Sequence, residues 1–320
     1  MDYASVLWTL GVSFVLAVLI GPLCIPLLRR LKFGQQVRTE GPQSHQKKQG
    51  TPTMGGVIIL LALTLAYLKF ADRGPAFWAI LVACLGFGLV GFLDDYIKIA
   101  FKRSLGLTAS QKLIGQLLFA IVFCVFLYKM KISTVVALPG TAFSVDLGWA
   151  YYLFVILIFF ASSNAVNFTD GLDGLLSGTS ALAFGAYAIV AIQAAQPQAA
   201  VFSGAMIGAV LGFLVFNAHP AKVFMGDTGS LGIGGGLAAV AILTKTELLL
   251  IVIGGVFVME MLSVILQVAS FKTRGKRIFK MSPIHHHFEL VGWSEWRVVT
   301  TFWLAGLVLA AVGLLWYKGI

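Results

Sequence analysis

Charge is what this chain is short of. Only 11% of its 320 residues are charged, where a soluble domain carries about a quarter, and 59% are hydrophobic. A water-soluble fold has nowhere to hide that much apolar surface, so soluble classes are excluded and the bilayer is the expected solvent. Cysteine is sparse as well: Cys24, Cys84 and Cys124 are the 3 present. All lie inside apolar stretches without paired spacing, which argues against a disulfide framework or a zinc site. No basic segment precedes the first apolar run and more runs follow it, so that run reads as a retained span rather than a cleaved leader. No internal repeat is apparent.

A helix needs roughly 20 apolar residues to cross about 30 Å of hydrocarbon. Apolar stretches lie near residues 4–27, 53–69, 76–93, 112–128, 149–168, 174–192, 199–217, 230–243, 247–270 and 299–317. They predict an all-α, polytopic membrane protein of about ten transmembrane helices, organised as a single domain over 1–320. The eighth stretch is short and carries Gly232, Gly234, Gly235 and Gly236, which sets the range at nine or ten. Gly254 and Gly255 predict a bend in the ninth.

Most of the 23 basic residues fall in alternate loops. These are Arg29, Arg30, Lys32, Arg38, Lys47 and Lys48, then Lys98, Lys102, Arg103 and Lys112, then Lys222, and finally Lys272, Arg274, Lys276, Arg277, Lys280 and Arg297. Basic loops face the cytoplasm, so both termini are expected outside it. Topology alone accounts for basic loops, but it does not account for the acids: Asp94, Asp95, Asp170, Asp173 and Asp227 all fall on the same inward face.

Asp94 and Asp95 end the third span, at a helix C-terminus where the macrodipole disfavours negative charge. Two adjacent carboxylates there need a counter-cation. Mg²⁺ held by carboxylates and substrate phosphates is one remedy, and an ion pair with Lys98 a turn later is the other. The octet Asn167-Phe168-Thr169-Asp170-Gly171-Leu172-Asp173-Gly174 joins two spans with almost no linker. On a helical turn Asp170 and Asp173 would share one face, although Asp is also a common helix cap. The segment from Asn217 to Ser230, with Phe224, Gly226 and Asp227 at its centre, opens the eighth span. Free N–H groups at a helix start are a phosphate site, with Asp227 either a cap or the leading metal ligand. His285, His286 and His287 are consecutive, so on a regular helix they diverge by about 100° and cannot share one metal. As near-neutral imidazoles they suit hydrogen bonding to phosphate or sugar oxygens. Glu260 lies deep in the ninth span, with Gln267 on the same face, and reads either as a functional group or as a packed, neutralised one.

Taken together, HQKKQGTPTMGG, GFLDDYIK, NFTDGLDGL, FNAHPAKVFMGDTGSLGIGG and MSPIHHHFELVGWSE resemble the polyprenyl-phosphate sugar-1-phosphate transferases. The Pro-Ile-His-His-His-Phe run is most similar to the branch that moves phospho-N-acetylmuramoyl-pentapeptide in bacterial cell-wall synthesis. The resemblance runs from about Lys47 to Glu295. It implies a Mg²⁺-dependent enzyme of the bacterial cytoplasmic membrane, often a homodimer, with a cytoplasmic cleft and an apolar groove. Its substrates would be UDP-MurNAc-pentapeptide and undecaprenyl phosphate; no nucleic-acid partner is implied. By motif position, the catalytic set implied is Asp94, Asp95, Asp227 and His286, with Asp227 the metal ligand. The substrate-binding set implied is Lys48, Thr53, Lys112, Asn167, Asp170, Asp173, Asn217, Phe224, Gly226, Gln267, His285, His286 and His287. Two rival readings are a sibling transferase that moves GlcNAc-1-phosphate and a secondary transporter. Transporters bind near the bilayer midplane, whereas here the acids crowd one surface.

Overall fold

A computed structural model describes residues 3–30, 50–101 and 105–318. Of the residues singled out above, Lys32, Arg38, Lys47, Lys48, Lys102 and Arg103 lie outside the described residues. The chain is built from helices α1 (Tyr3–Arg30), α2 (Gly56–Phe70), α3 (Pro75–Ala100), α4 (Ala109–Lys129), α5 (Ala150–Thr169), α6 (Leu175–Gln193), α7 (Pro197–Asn217), α8 (Gly226–Leu243), α9 (Leu249–Ile253), α10 (Gly255–Arg274), α11 (Ile284–Leu290) and α12 (Glu295–Lys318). A small antiparallel hairpin, β1 (Val135–Ala137) with β2 (Ser144–Asp146), joins α4 to α5.

Among the described residues, 9 helices are long and apolar enough to cross a membrane. The Gly-rich eighth stretch is one of them. The short one is instead α2, an apolar helix of 15 residues, about 22 Å long at the usual rise per residue. The stretch expected at 247–270 is broken at Gly254 into α9 and α10, as its two glycines predict.

In hydrocarbon, helices gain little from hiding apolar surface from one another, so they associate by close backbone approach and hydroxyl hydrogen bonds. The Gly-rich α8 is the central post: 89% of its apolar window is buried, and neighbours reach it on every side. Gly88 and Gly91 of α3 lie against the backbones of Gly232 and Asp227, and the Ser162 hydroxyl of α5 donates to the Gly234 carbonyl at 2.8 Å. The α1/α7 pair repeats the device, with Gly208 against the Leu10 carbonyl and Ser13 Oγ donating to Ala205 O at 2.7 Å. Leu7, Trp8, Leu118 and Leu304 of the outer helices are exposed, as lipid-facing residues are.

The segments 50–55, 105–108, 170–174, 218–225 and 275–294 gather at one end of this bundle and carry the candidate site. The hairpin and the α8–α9 turn lie at the other end, tied together by Lys245 Nζ donating to Ser133 O at 2.9 Å.

Candidate functional site

Asp94 and Asp95 sit in the last turns of α3, 2% and 3% exposed, and meet Asp227 in the first turn of α8. Two lysines lie between them. Lys98 Nζ is 2.5 Å from Asp94 Oδ2, 3.7 Å from Asp95 Oδ1 and 3.1 Å from Asp227 Oδ2. Lys112 Nζ is 2.6 Å from Asp227 Oδ2 and 3.6 Å from Asp94 Oδ1. Local sequence explains how Lys112 arrives. Thr108 and Gln111 form a reciprocal capping box at the start of α4, which fixes the helix entry and sets Lys112 one residue after the box. Asn167, in the last turn of α5, donates from Nδ2 to Asp227 Oδ1 and to Ser230 Oγ, both at 2.8 Å. The i,i+4 pairing of Lys98 with Asp94 was readable from spacing; its reach to Asp227 was not.

The head of α8 is occupied by protein. Asp95 Oδ2 accepts from Thr228 N at 2.9 Å and from Thr228 Oγ1 at 2.8 Å. Of the N–H groups expected to be free for a phosphate at this helix start, that of Thr228 is thus spent on an aspartate. Gly226 has φ +74°, and a Cβ there would lie 2.6 Å from Asp95 Oδ2 and 2.9 Å from Thr53 Oγ1. Only glycine combines that backbone with that crowding. Desolvation, reinforced by the Asp227 and Asp95 carboxylates, pushes the Asp170 carboxyl well above its ordinary range.

Thr53 reaches this point because its segment is laced to the α7–α8 turn. Phe224 N donates to Pro52 O, Gly55 N to Phe224 O and Gly56 N to Met225 O, each at 2.8 Å. The Phe224 ring is left half-buried at the rim.

Asp173 belongs to a second cluster that sequence reasoning did not find. Its Oδ2 lies 2.9 Å from His219 Nδ1 and accepts from Ala221 N at 3.1 Å. His219 Nδ1 is also 3.2 Å from Glu295 Oε2, and Glu295 Oε1 accepts from Asp173 N at 2.9 Å. This knot ties the α5–α6 turn, the α7–α8 turn and the start of α12. Asn217 braces it from below: its Oδ1 accepts from Gly174 N and Ser177 Oγ, and its Nδ2 donates to Val223 O. Much of the Asn217 amide is thus used inside the protein.

Each of the three histidines has its own partner on the short helix α11. His285 is fully buried, with Nδ1 3.1 Å from Glu260 Oε1. His286 Nδ1 pairs with Glu289 Oε2 at 2.8 Å, and His287 Nδ1 accepts from Lys280 N at 3.1 Å. Gln267 latches the loop before them, its Oε1 accepting from Ile278 N and Phe279 N while its Nε2 donates to Phe279 O. His286 and His287 are half-buried; His285 lies beneath them.

The donor set of the first cluster fits a hard divalent cation. Asp94, Asp95 and Asp227 each offer a carboxylate oxygen, and these lie within 4.8 Å of one another. Oxygen donors of this kind suit Mg²⁺, and three carboxylates against two ammonium groups leave one negative charge over. An apolar groove of about 400 Å³ runs between α5 and α10, lined by Phe154, Leu157 and Ala165 of α5 and by Val258, Met261 and Ile265 of α10, and reaches Glu247 and Leu248 at the end of the bundle away from the site.

Residues 77–245 match the family model for glycosyl transferase family 4. Residues 48–60 match the phospho-N-acetylmuramoyl-pentapeptide-transferase signature 1. The phospho-N-acetylmuramoyl-pentapeptide-transferase of Bacillus subtilis (strain 168) is 61% identical over 313 residues, covering 97% of each chain. That of Anoxybacillus flavithermus is 58% identical over 318 residues, 98% of each chain, and that of Shouchella clausii 58% over 324, spanning 100% of this chain and 99% of its own.

Proposed function

Because the chain belongs to the phospho-N-acetylmuramoyl-pentapeptide-transferase family, we propose that it transfers phospho-MurNAc-pentapeptide from UDP-MurNAc-pentapeptide to undecaprenyl phosphate. An oxygen of the lipid phosphate attacks the sugar-proximal phosphorus; the bond from that phosphorus to the oxygen of UMP breaks. The products are undecaprenyl-pyrophosphoryl-MurNAc-pentapeptide (lipid I) and UMP. One pyrophosphate linkage replaces another, so no external energy source enters. The observation that carries the reading is the meeting of Asp94, Asp95 and Asp227 with Lys98 and Lys112 at one end of a membrane bundle.

Phosphoryl transfer is catalysed mainly by positioning and by neutralising charge. When bound by Asp227 with Asp94 or Asp95, Mg²⁺ supplies neutralisation of the diphosphate. Lys98 and Lys112 supply the rest from the protein, and Asn167 holds Asp227 in place by its amide. Asp94, anchored through Leu107 N–H to its Oδ1 at 2.9 Å, is assigned to the lipid phosphate as base or orienting group. Phe224 offers a ring face for uracil, with Thr53 beside it and Lys48 expected nearby. Asp170, Asp173, Asn217, Gln267 and the three histidines shape the pocket for the sugar-peptide, with His286 assigned a part in the chemistry by its motif position. The apolar groove takes the start of the polyprenyl chain, and the break at Gly254 lines it. The enzyme works as one domain, as a homodimer in the bacterial cytoplasmic membrane, with ten crossings, the site facing the cytoplasm and both termini outside.

The test uses purified protein, both substrates and Mg²⁺, with UMP release as the readout. Release that stops with EDTA is expected; no UMP, or release indifferent to chelation, overturns the reading. Offering UDP-GlcNAc in place of the muramoyl donor separates the sibling activity. Asp94→Asn is expected to lower kcat about 10²–10³-fold while nucleotide affinity, measured by UMP binding, stays within about twofold.

A further inference from the structure

Glu260 is 0% exposed in the body of α10, and His285 is 0% exposed on α11. Their side chains meet at 3.1 Å, Glu260 Oε1 to His285 Nδ1. An ionisable group at membrane depth is expensive unless it has a partner and a task. The far atoms of the pair, Glu260 Oε2 and His285 Nε2, are buried with no hydrogen-bond partner among the described residues.

The unpartnered Nε2 decides how the proton is arranged. Nε2 faces Gly171, where a Cβ would lie 2.1 Å from it; the ring is packed on a bare Cα. If Glu260 were protonated and donated to Nδ1, a neutral ring would carry its proton on Nε2. That would leave a buried N–H donor facing carbon, a rare and costly arrangement of about 1–3 kcal/mol. Glu260 Oε1 accepting Nδ1–H leaves only a lone pair toward Gly171.

Gly171 and Leu172 separate Asp170 from Asp173, and Asp170 lies within electrostatic reach of Asp227 and Asp95. On its other side the His285 ring stacks edge-on against His286, centroids 4.1 Å apart. We propose that Glu260 is a positioning residue for the transfer reaction. Its Oε1 holds His285 as the Nδ1–H tautomer against Gly171, and thereby sets both the Asp170 turn and His286. The sequence features behind it are a lone acid inside an apolar helix, the first histidine of a run, and the glycine of an Asp-Gly step. This deepens the transferase reading and rests on it.

The first test needs no active enzyme. Full-length protein labelled with nitrogen-15 histidine, in lipid nanodiscs, should show one resonance pair with protonated Nδ1 and bare Nε2, absent in His285→Gln. A His285 pair with protonated Nε2 and bare Nδ1 overturns the proposal. The second test is kinetic. Glu260→Gln keeps an oxygen that accepts Nδ1–H and should retain most of the activity, whereas Glu260→Leu removes the acceptor and should lower kcat about ten- to hundredfold with both KM values within about twofold. In a Gly171→Ala background Glu260→Leu should cost nothing further, because both changes act through the same ring. Additive losses, or a wild-type kcat in Glu260→Leu, overturn it. If wild-type protein releases no UMP, the transferase reading fails by itself, and the tautomer result still decides the pairing.

Discussion

The bundle carries a buried polar cluster at each end, and the two differ in their charge balance. Away from the site, Tyr151 Oη donates to Glu247 Oε1 at 2.6 Å, and Lys245 Nζ lies 2.8 Å from that oxygen and 2.8 Å from Tyr151 Oη. One acid meets one base, and the group is neutral. At the site end three carboxylates face two lysines, leaving a negative charge in a place where 2% and 3% of Asp94 and Asp95 are exposed. An unbalanced buried charge costs several kcal/mol; this one opens to the end of the bundle through Lys98 and Lys112, 32% and 19% exposed. The neutral knot needs nothing more than the chain provides. The unbalanced one offers three carboxylate oxygens within 4.8 Å of one another, the donor set on which the proposed cation site rests.

The comparison can be broken most severely at Asp227, the carboxylate both lysines and Asn167 share. Asp227→Asn keeps the shape and removes the charge; kcat is expected to fall about 10³-fold with the protein still folded by size-exclusion and thermal-shift criteria. A fall smaller than about tenfold would mean that the shared carboxylate is structural. A smaller effect is expected from Gly226→Ala. The new methyl displaces Asp95 and strains a left-handed backbone by about 1–2 kcal/mol, and such misplacement lowers turnover about 10²-fold. Activity assays with a thermal-shift control measure both. Smallest in turnover is Lys245→Met at the neutral end. UMP release should stay within about twofold of wild type, while the orphaned Glu247 lowers stability by about 2–3 kcal/mol, less than a fully buried pair because Lys245 is 29% exposed. Lost turnover at unchanged stability would erase the distinction between the two ends.

Much of this was legible from composition and motif. Apolar runs located the helices, Gly254 and Gly255 marked the break before α10, and the scarcity of acids made their clustering conspicuous. Lys112 was assigned from motif position and does reach Asp227. What escaped reading depends on which helix ends come together in space. Lys98 looked like a local partner of Asp94, yet it also spans to a residue 129 positions away. His219 and Glu295 lie inside the quoted motifs FNAHPAKVFMGDTGSLGIGG and MSPIHHHFELVGWSE but were not singled out there; only the folded turns bring them to Asp173. The start of α8 looked like an open anion site because helix starts usually are, and the aspartate that takes the Thr228 N–H arrives from α3. The start of α2 was placed three residues early: Thr53, Met54 and Gly55 precede the helix, Met54 with a left-handed φ of 69°, in a segment laced to Phe224 and Met225 through Pro52 O, Gly55 N and Gly56 N. Lys48 lies outside the described residues, so its place in the pocket stays a matter of motif.

The central claim is that the unbalanced cluster loads one divalent cation. Electron paramagnetic resonance of Mn²⁺ added to the full-length protein in nanodiscs measures this directly. The account predicts a single site per chain that Mg²⁺ displaces, lost in Asp227→Asn and kept in Lys245→Met. Undiminished Mn²⁺ binding in Asp227→Asn would contradict it.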